Sequence, residues 1–262
     1  MEHAVVDRYT NLDSLLHRLD PRTKILASAA FVILVVTIPP ARWQGYALCF
    51  VLVASLALLS KLPLTFILKR SVVIVPFALV IALFIPFFKP ASPGDTTFTI
   101  RIMAWNLSVT KGGLLTLYGV VTKAWLSVLS MILLSSTTRF AELLKGLDRL
   151  GIPKVMIMTI SFSYRYLFVI ADELTRMQQA RDSRNFGGKF WWRMKTIGSM
   201  IGTLFIRSFE RAERVYQAMA ARGFDGEIKT LSHLHLQSID IYFGALFTAG
   251  IILIGLTVLL LD

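Results

Sequence analysis

The feature that most constrains this chain is a set of five apolar runs, each close to the length of a membrane-spanning helix. A hydrocarbon core about 30 Å thick takes about 20 helical residues at about 1.5 Å each. The runs are Ile25 to Ile38, Tyr46 to Leu59, Ser71 to Phe88, Gly113 to Leu134 and Ile241 to Leu261. The first two are short. They reach span length if Lys24, Arg42 and Lys61 snorkel and Trp43 and Tyr46 sit in the headgroup belt; a shallow helical hairpin is the alternative. Pro76 and Pro86 each remove a backbone donor from the third run and predict kinks there. Only 17% of residues are charged and 55% are hydrophobic, whereas soluble domains carry about a quarter charged. The excess apolar surface calls for the lipid bilayer as solvent, and the fold class is all-α integral membrane.

The net charge of +12 raises nucleic acid as a partner. The basic residues flank the apolar runs, however, which fits the cytoplasmic leaflet of a membrane instead. With the N-terminus inside, the cytoplasmic side collects 23 Lys and Arg and the other side four, with Lys123 left inside the fourth run. This bias places the N-terminus and residues 139–239 in the cytoplasm, puts the C-terminus outside, and predicts a multi-pass protein of the plasma membrane. Met1 to Asp20 mixes charges of both signs without an apolar core, which predicts no cleaved signal peptide. The connection from Lys89 to Gly112 holds two β-branched runs around a turn and predicts a small external hairpin.

Three segments follow: a four-span bundle (1–138), a basic region (139–239) and a last span (240–262). The basic region is helical in pattern and divides into one short helix and two long ones. Phe140 to Leu150 is stopped by Gly151 and Pro153. Pro153 opens a stretch to about Asn185 that is apolar first and charged later, closed by Gly187-Gly188. Such a stretch reads as a helix lying under the bundle and then projecting into water; a sixth span from Val155 to Ile170 is the alternative. The third helix runs from about Phe190 to Arg222.

The end of that third helix is well specified. Gly223 can take the left-handed conformation that closes a helix, and Phe224 can pack back on Met219. Ala220 and Ala221 keep the tip thin, and Arg222 sits where the helix dipole favours a cation and can reach outward to a carboxylate or carbonyls. The second helix offers a related set in Ala180, Arg181, Asp182, Ser183 and Arg184. Two long helices with similar tips suit two similar grooves, such as those of an ATPase dimer. A solvated tip with an ordinary glycine cap is the bland alternative.

These residues also carry a resemblance. Leu19-Asp20-Pro21-Arg22-Thr23-Lys24, Ser136-Thr137-Thr138, Leu150-Gly151-Ile152-Pro153 and Tyr164-Arg165-Tyr166 appear in order, with Asp7-Arg8-Tyr9 before them. The most specific run is Arg207 to Tyr216 leading into Ala221-Arg222-Gly223-Phe224-Asp225-Gly226. Across most of its length the chain resembles the transmembrane T component of energy-coupling factor (ECF) transporters, of the cobalt type known as CbiQ. The resemblance implies a non-catalytic transport subunit without a cofactor. Its coupling helices would dock on a CbiO-like cytoplasmic ATPase dimer and pass motion to a CbiM-like substrate-binding membrane subunit, with or without a small CbiN-like one. It implies cobalt or nickel as cargo. By position, Ala180-Arg181-Asp182 stands for the first docking motif and Ala221-Arg222-Gly223 for the second; Asp182 replaces the glycine of the pattern, so Arg184 is a candidate contact beside Arg181.

Two other readings compete. A conventional ABC importer permease also docks on an ATPase, but through one short helix in a compact loop. A membrane enzyme of the prenyl-transferase kind needs paired carboxylates to hold magnesium and a diphosphate. Asp172 and Glu173, the one adjacent acidic pair, point to different helix faces. No phosphate-binding loop of P-loop spacing is present, so ATP hydrolysis is expected in a partner. His233 and His235 share a face only if extended and lack a third ligand, and Cys49 stands alone, so no metal site is expected. Glu210 and Arg214 read as a helix-surface pair. For Lys123, a role in coupling and a role in bundle pairing stand equal.

Overall fold

A computed structural model describes residues 14–73, 75–85, 97–102, 105–184, 190–226 and 237–260. His233, His235, Gly187-Gly188, Asp7-Arg8-Tyr9 and Pro86 lie outside the described residues. The chain divides into two compact units, Met1–Gly146 with Leu234–Asp262, and Leu147–His233.

In the first unit, α1 (Leu15–Arg18) leads into α2 (Pro21–Thr37), followed by α3 (Trp43–Leu59), α4 (Leu64–Val72) and α5 (Val75–Leu83). A hairpin of β1 (Thr97–Ile102) and β2 (Trp105–Thr110) follows, antiparallel and paired from Thr97↔Thr110 to Ile102↔Trp105. The long α6 (Lys111–Thr137) and the last helix, α10 (Ser238–Leu260), complete the unit. The short α7 (Phe140–Arg149) begins here and ends in the second unit, which holds α8 (Lys154–Asp182) and α9 (Phe190–Ala221).

The helix ends follow local chemistry. Asp20 caps α2 by accepting from the Arg22 amide at 2.9 Å, with Pro21 in the first turn, where its missing N–H costs nothing. Pro39 and Pro40 stop the same helix. The third apolar run starts earlier than expected, at Leu64 just after Pro63, and the described helices α4 and α5 lie within one apolar stretch, Leu64–Leu83. Pro76, in the first turn of α5, has no amide to donate to the Val72 carbonyl four residues back.

The core of the first unit is Phe31 and Val35 of α2, Tyr46, Cys49 and Val53 of α3, Leu126, Leu129 and Leu133 of α6, and Phe247 and Ile254 of α10. Around it the large side chains point outward: Ile33, Phe77, Ile81, Leu246 and Leu253 are all more than 60% exposed. An apolar shell around an apolar core is stable only in lipid. Four described stretches are long and apolar enough to cross a membrane: Leu64–Leu83, Lys111–Thr137, Lys154–Asp182 and Ser238–Leu260, with Trp43–Leu59 a shorter apolar helix. The protein is an all-α, multi-pass membrane protein, with the one described hairpin between α5 and α6. Within this set α8 is the least apolar, in keeping with a stretch whose second half is charged.

A buried polar knot ties the ends of the first unit together. The Asp240 carboxylate, 2% exposed, accepts from the Asp20 amide at 2.7 Å and the Gln237 amide at 2.8 Å. The Lys24 ammonium, also buried, donates to the carbonyls of His17 and Thr137, each at 3.2 Å. One cluster thus joins the start of α2, the last carbonyl of α6 and the start of α10. Gly146 of α7 lies against it, since a Cβ there would meet Pro21 Cβ at 3.1 Å and Ile25 Cδ1 at 3.0 Å.

Candidate coupling tips and intramembrane lysine

Arg222 stands on a rigid cap. Gly223 has φ +73°, its amide donates to the Ala220 carbonyl at 3.0 Å, and the Phe224 amide donates to the Met219 carbonyl at 3.1 Å. These two reversed bonds form the Schellman closure, which satisfies carbonyls that the helix end would leave bare. Ala221, Arg222 and Gly223 are all exposed, and the Arg222 guanidinium has no ion-pair partner among the described residues. The same closure ends α7, where Gly151 has φ +92° and the Ile152 amide donates to the Leu147 carbonyl at 3.3 Å.

The tip of α8 is built differently. Asp182 is still helical, and the closing turn stays right-handed through Ser183, whose hydroxyl donates to the Ala180 carbonyl at 3.0 Å. Arg181 turns back on its neighbour, with Nη2 2.8 Å and Nε 2.9 Å from Asp182 Oδ1. Arg184, two residues beyond the last helical residue, is exposed. Arg181 is thus held by the residue next to it, and Arg184 is the exposed cation that follows the helix.

Behind the tips, α8 and α9 pack along a narrow seam marked by an ion pair between Glu173 and Arg207. Beside the seam lies an open, mostly apolar groove of about 490 Å³, lined among others by Phe162, Tyr166, Ile170, Arg211 and Val215. Not one residue of either helix is buried within the chain. Along α9, Ile201, Phe205, Phe209 and Tyr216 form an exposed stripe at helix spacing. The unit therefore presents two charged tips and a long uncovered apolar face.

Known proteins resemble this chain over most of its length. The model of the CbiQ family, described as cobalt transport protein, matches residues 13–234. An energy-coupling factor transporter transmembrane protein, EcfT, of Listeria innocua is 32% identical over 86% of this chain and 86% of its own length. An uncharacterised protein of Methanocaldococcus jannaschii is 30% identical over 98% of this chain and 87% of its own. The EcfT protein of Staphylococcus aureus is 28% identical over 89% and 88%. This chain belongs to the CbiQ family. It is a transport subunit of the energy-coupling factor T-component kind, with its apolar helices forming the membrane part.

In this CbiQ chain Lys123 has a definite partner. Its ammonium donates to the Val36 carbonyl at 2.7 Å. That carbonyl would ordinarily accept from the amide four residues on, but residue 40 is proline and has none. One turn before Lys123, Gly119 makes room for the same proline: a Cβ there would lie 2.8 Å from Pro40 Cβ and 3.1 Å from its Cα. So α6 both accommodates the Pro39-Pro40 stop of α2 and supplies its missing donor.

Some of these side chains are not evident from the sequence alone. Glu173 reads there only as half of an acidic pair, yet its partner is Arg207, 34 residues away. Among the described residues no group of three or more His, Cys, Asp or Glu is placed to hold a metal. The knot of Asp20, Lys24 and Asp240 is signalled only by three charges at the ends of apolar runs.

Proposed function

We propose that this CbiQ-family chain is the coupling subunit of an ECF-type importer. Its helix tips dock on a pair of cytoplasmic ATPases, and its long helices pass the motion of ATP-driven closure to a substrate-binding membrane subunit. The observation that carries this reading is the second unit itself: two helices of 29 and 32 residues with nothing buried, ending in exposed arginines. Helices without a buried residue and with exposed apolar faces call for partners, since packing of an apolar face supplies most helix stability.

The roles follow the chemistry of each surface. Arg222, on its glycine cap beside Ala221, is the second docking tip; Arg184, with Ala180, Arg181 and Asp182 shaping the turn before it, is the first. Arginine suits the task because its planar guanidinium can hold a carboxylate or carbonyls through two parallel bonds. The apolar stripe of α9 and the groove beside it suit the helices of a membrane subunit, CbiM-like in this reading. Residues 1–138 and 240–262 anchor the lever in the bilayer and residues 139–239 form its cytoplasmic part, with the C-terminus outside. ATP hydrolysis belongs to the CbiO-like partner. Cobalt is the cargo this reading prefers, supported by the family's description, with nickel next.

The test is Arg222→Glu with co-purification of the ATPase. Removing one partner of a buried charge pair costs about 2–5 kcal/mol, a weakening of at least about 30-fold. Undiminished complex and transport would sink the assignment. The orientation is tested by a single cysteine at Ser183 in a Cys49→Ala background: labelling is expected only after the cells are permeabilised, and labelling of intact cells contradicts it.

A further inference from the structure

The first two turns of α9 carry a cluster that neither the docking tips nor the seam with α8 uses. Phe190 is 66% exposed, Trp191 81% and Met194 44%. At about 100° per residue these three fall on one arc of the helix, and Arg193 and Lys195 fall on either side of it. Both cations are exposed. From Ser183 to Phe209 the sequence contains Arg184, Lys189, Arg193, Lys195 and Arg207 and no acidic residue. Arg193 closes the first turn, where the positive end of the helix dipole disfavours a cation.

We propose that the start of α9 is a membrane-surface anchor that lays Phe190, Trp191 and Met194 into the headgroup region of anionic phospholipid, with Arg193 and Lys195 reaching to the phosphates on either side. Aromatic rings beside basic side chains are the composition that lipid interfaces select. Charge complementarity chooses the occupant: Lys189, Arg193 and Lys195 stand together in a stretch, Ser183 to Phe209, without an acidic residue, which suits a negative leaflet, and each cation held near such a surface favours docking by about fivefold. Anchored there, the start of the helix is a pivot and its Arg222 end is free to move.

The experiment uses the full chain, reconstituted in vesicles, with one cysteine at Met194 in a Cys49→Ala background carrying an environment-sensitive fluorophore. Quenching by bromine on the lipid acyl chains is compared with quenching by acrylamide in water. A cysteine at Ser199, an exposed residue well away from that arc, is the control. Strong lipid quenching is expected at 194 and aqueous quenching at 199, in vesicles containing phosphatidylglycerol. Arg193→Gln with Lys195→Gln should shift the docked equilibrium by about 30-fold toward water, and 1 M salt, which shortens screening to about 3 Å, should act in the same direction. Acrylamide quenching at 194 overturns the proposal. Protection from both quenchers also overturns it, because the cluster is then covered by protein. Emission of the Trp191→Phe variant gives an independent reading: loss of a blue-shifted component agrees with the anchor, and loss of a water-exposed component contradicts it.

Discussion

Asp240→Asn is the sharpest perturbation of the membrane unit. The Asp240 carboxylate holds two backbone amides, those of Asp20 and Gln237, at 2.7 and 2.8 Å in a buried site. Asparagine can accept through one oxygen and turns an NH₂ toward the other amide. A buried amide left without an acceptor costs about 1–3 kcal/mol, and the surviving bond falls from charge-assisted to neutral at a loss of about 1 kcal/mol. The neutral side chain is cheaper to bury than the carboxylate, which trims the net loss to about 2–3 kcal/mol. That is about 30- to 150-fold in the opening equilibrium. The reporter is built in: Cys49 is the only cysteine and is fully buried in the core of the same unit. Maleimide labelling of Cys49 in detergent, followed through a denaturant series, reads the opening. Ser238→Ala, an exposed position two residues away, is the control and should change nothing. If Asp240→Asn labels no faster than Ser238→Ala, the knot does not hold the ends of α2 and α10 together.

Three further outcomes follow from the geometry. Gly119→Val should destabilise the same unit by about 1–3 kcal/mol through overpacking against Pro40, read by the same thiol assay. Lys123→Met should cost about 1 kcal/mol, the scale of hydrogen bonds within membranes. Pro40→Ala should cancel much of that loss, because an alanine amide can serve the Val36 carbonyl; additive effects in the double-mutant cycle would refute the pairing. Gly223→Ala forces a side chain into φ +73° at about 1–2 kcal/mol, so circular dichroism should show a frayed α9 end, and ATPase binding should weaken while Cys49 labelling stays unchanged.

Much of this fold is legible in the sequence because the information is local. Apolar run length reports spans directly, and the stops at Pro39-Pro40, Gly151 and Gly223 mark helix ends within a few residues. Hydropathy alone conceals the start of α4, whose Lys69 and Arg70 interrupt the apolar pattern without interrupting the helix. The pairings are not legible for a different reason. Asp20 meets Asp240 across 220 residues and Lys123 meets Val36 across 87, and no periodicity encodes such distances. At the tips the reverse holds: Asp182 in place of glycine is visible as an anomaly, and its pairing with Arg181, with Arg184 exposed after the helix, follows only from the turn geometry.

In the proposed coupling role both tips seat on the ATPase pair. Single cysteines at Arg184 and at Arg222, in the Cys49→Ala background, test it most directly through cross-linking in the assembled complex. Each tip is expected to join an ATPase subunit, with a yield that nucleotide changes at both positions. Cross-links from either tip to membrane subunits only, or yields indifferent to nucleotide at both positions, would contradict it.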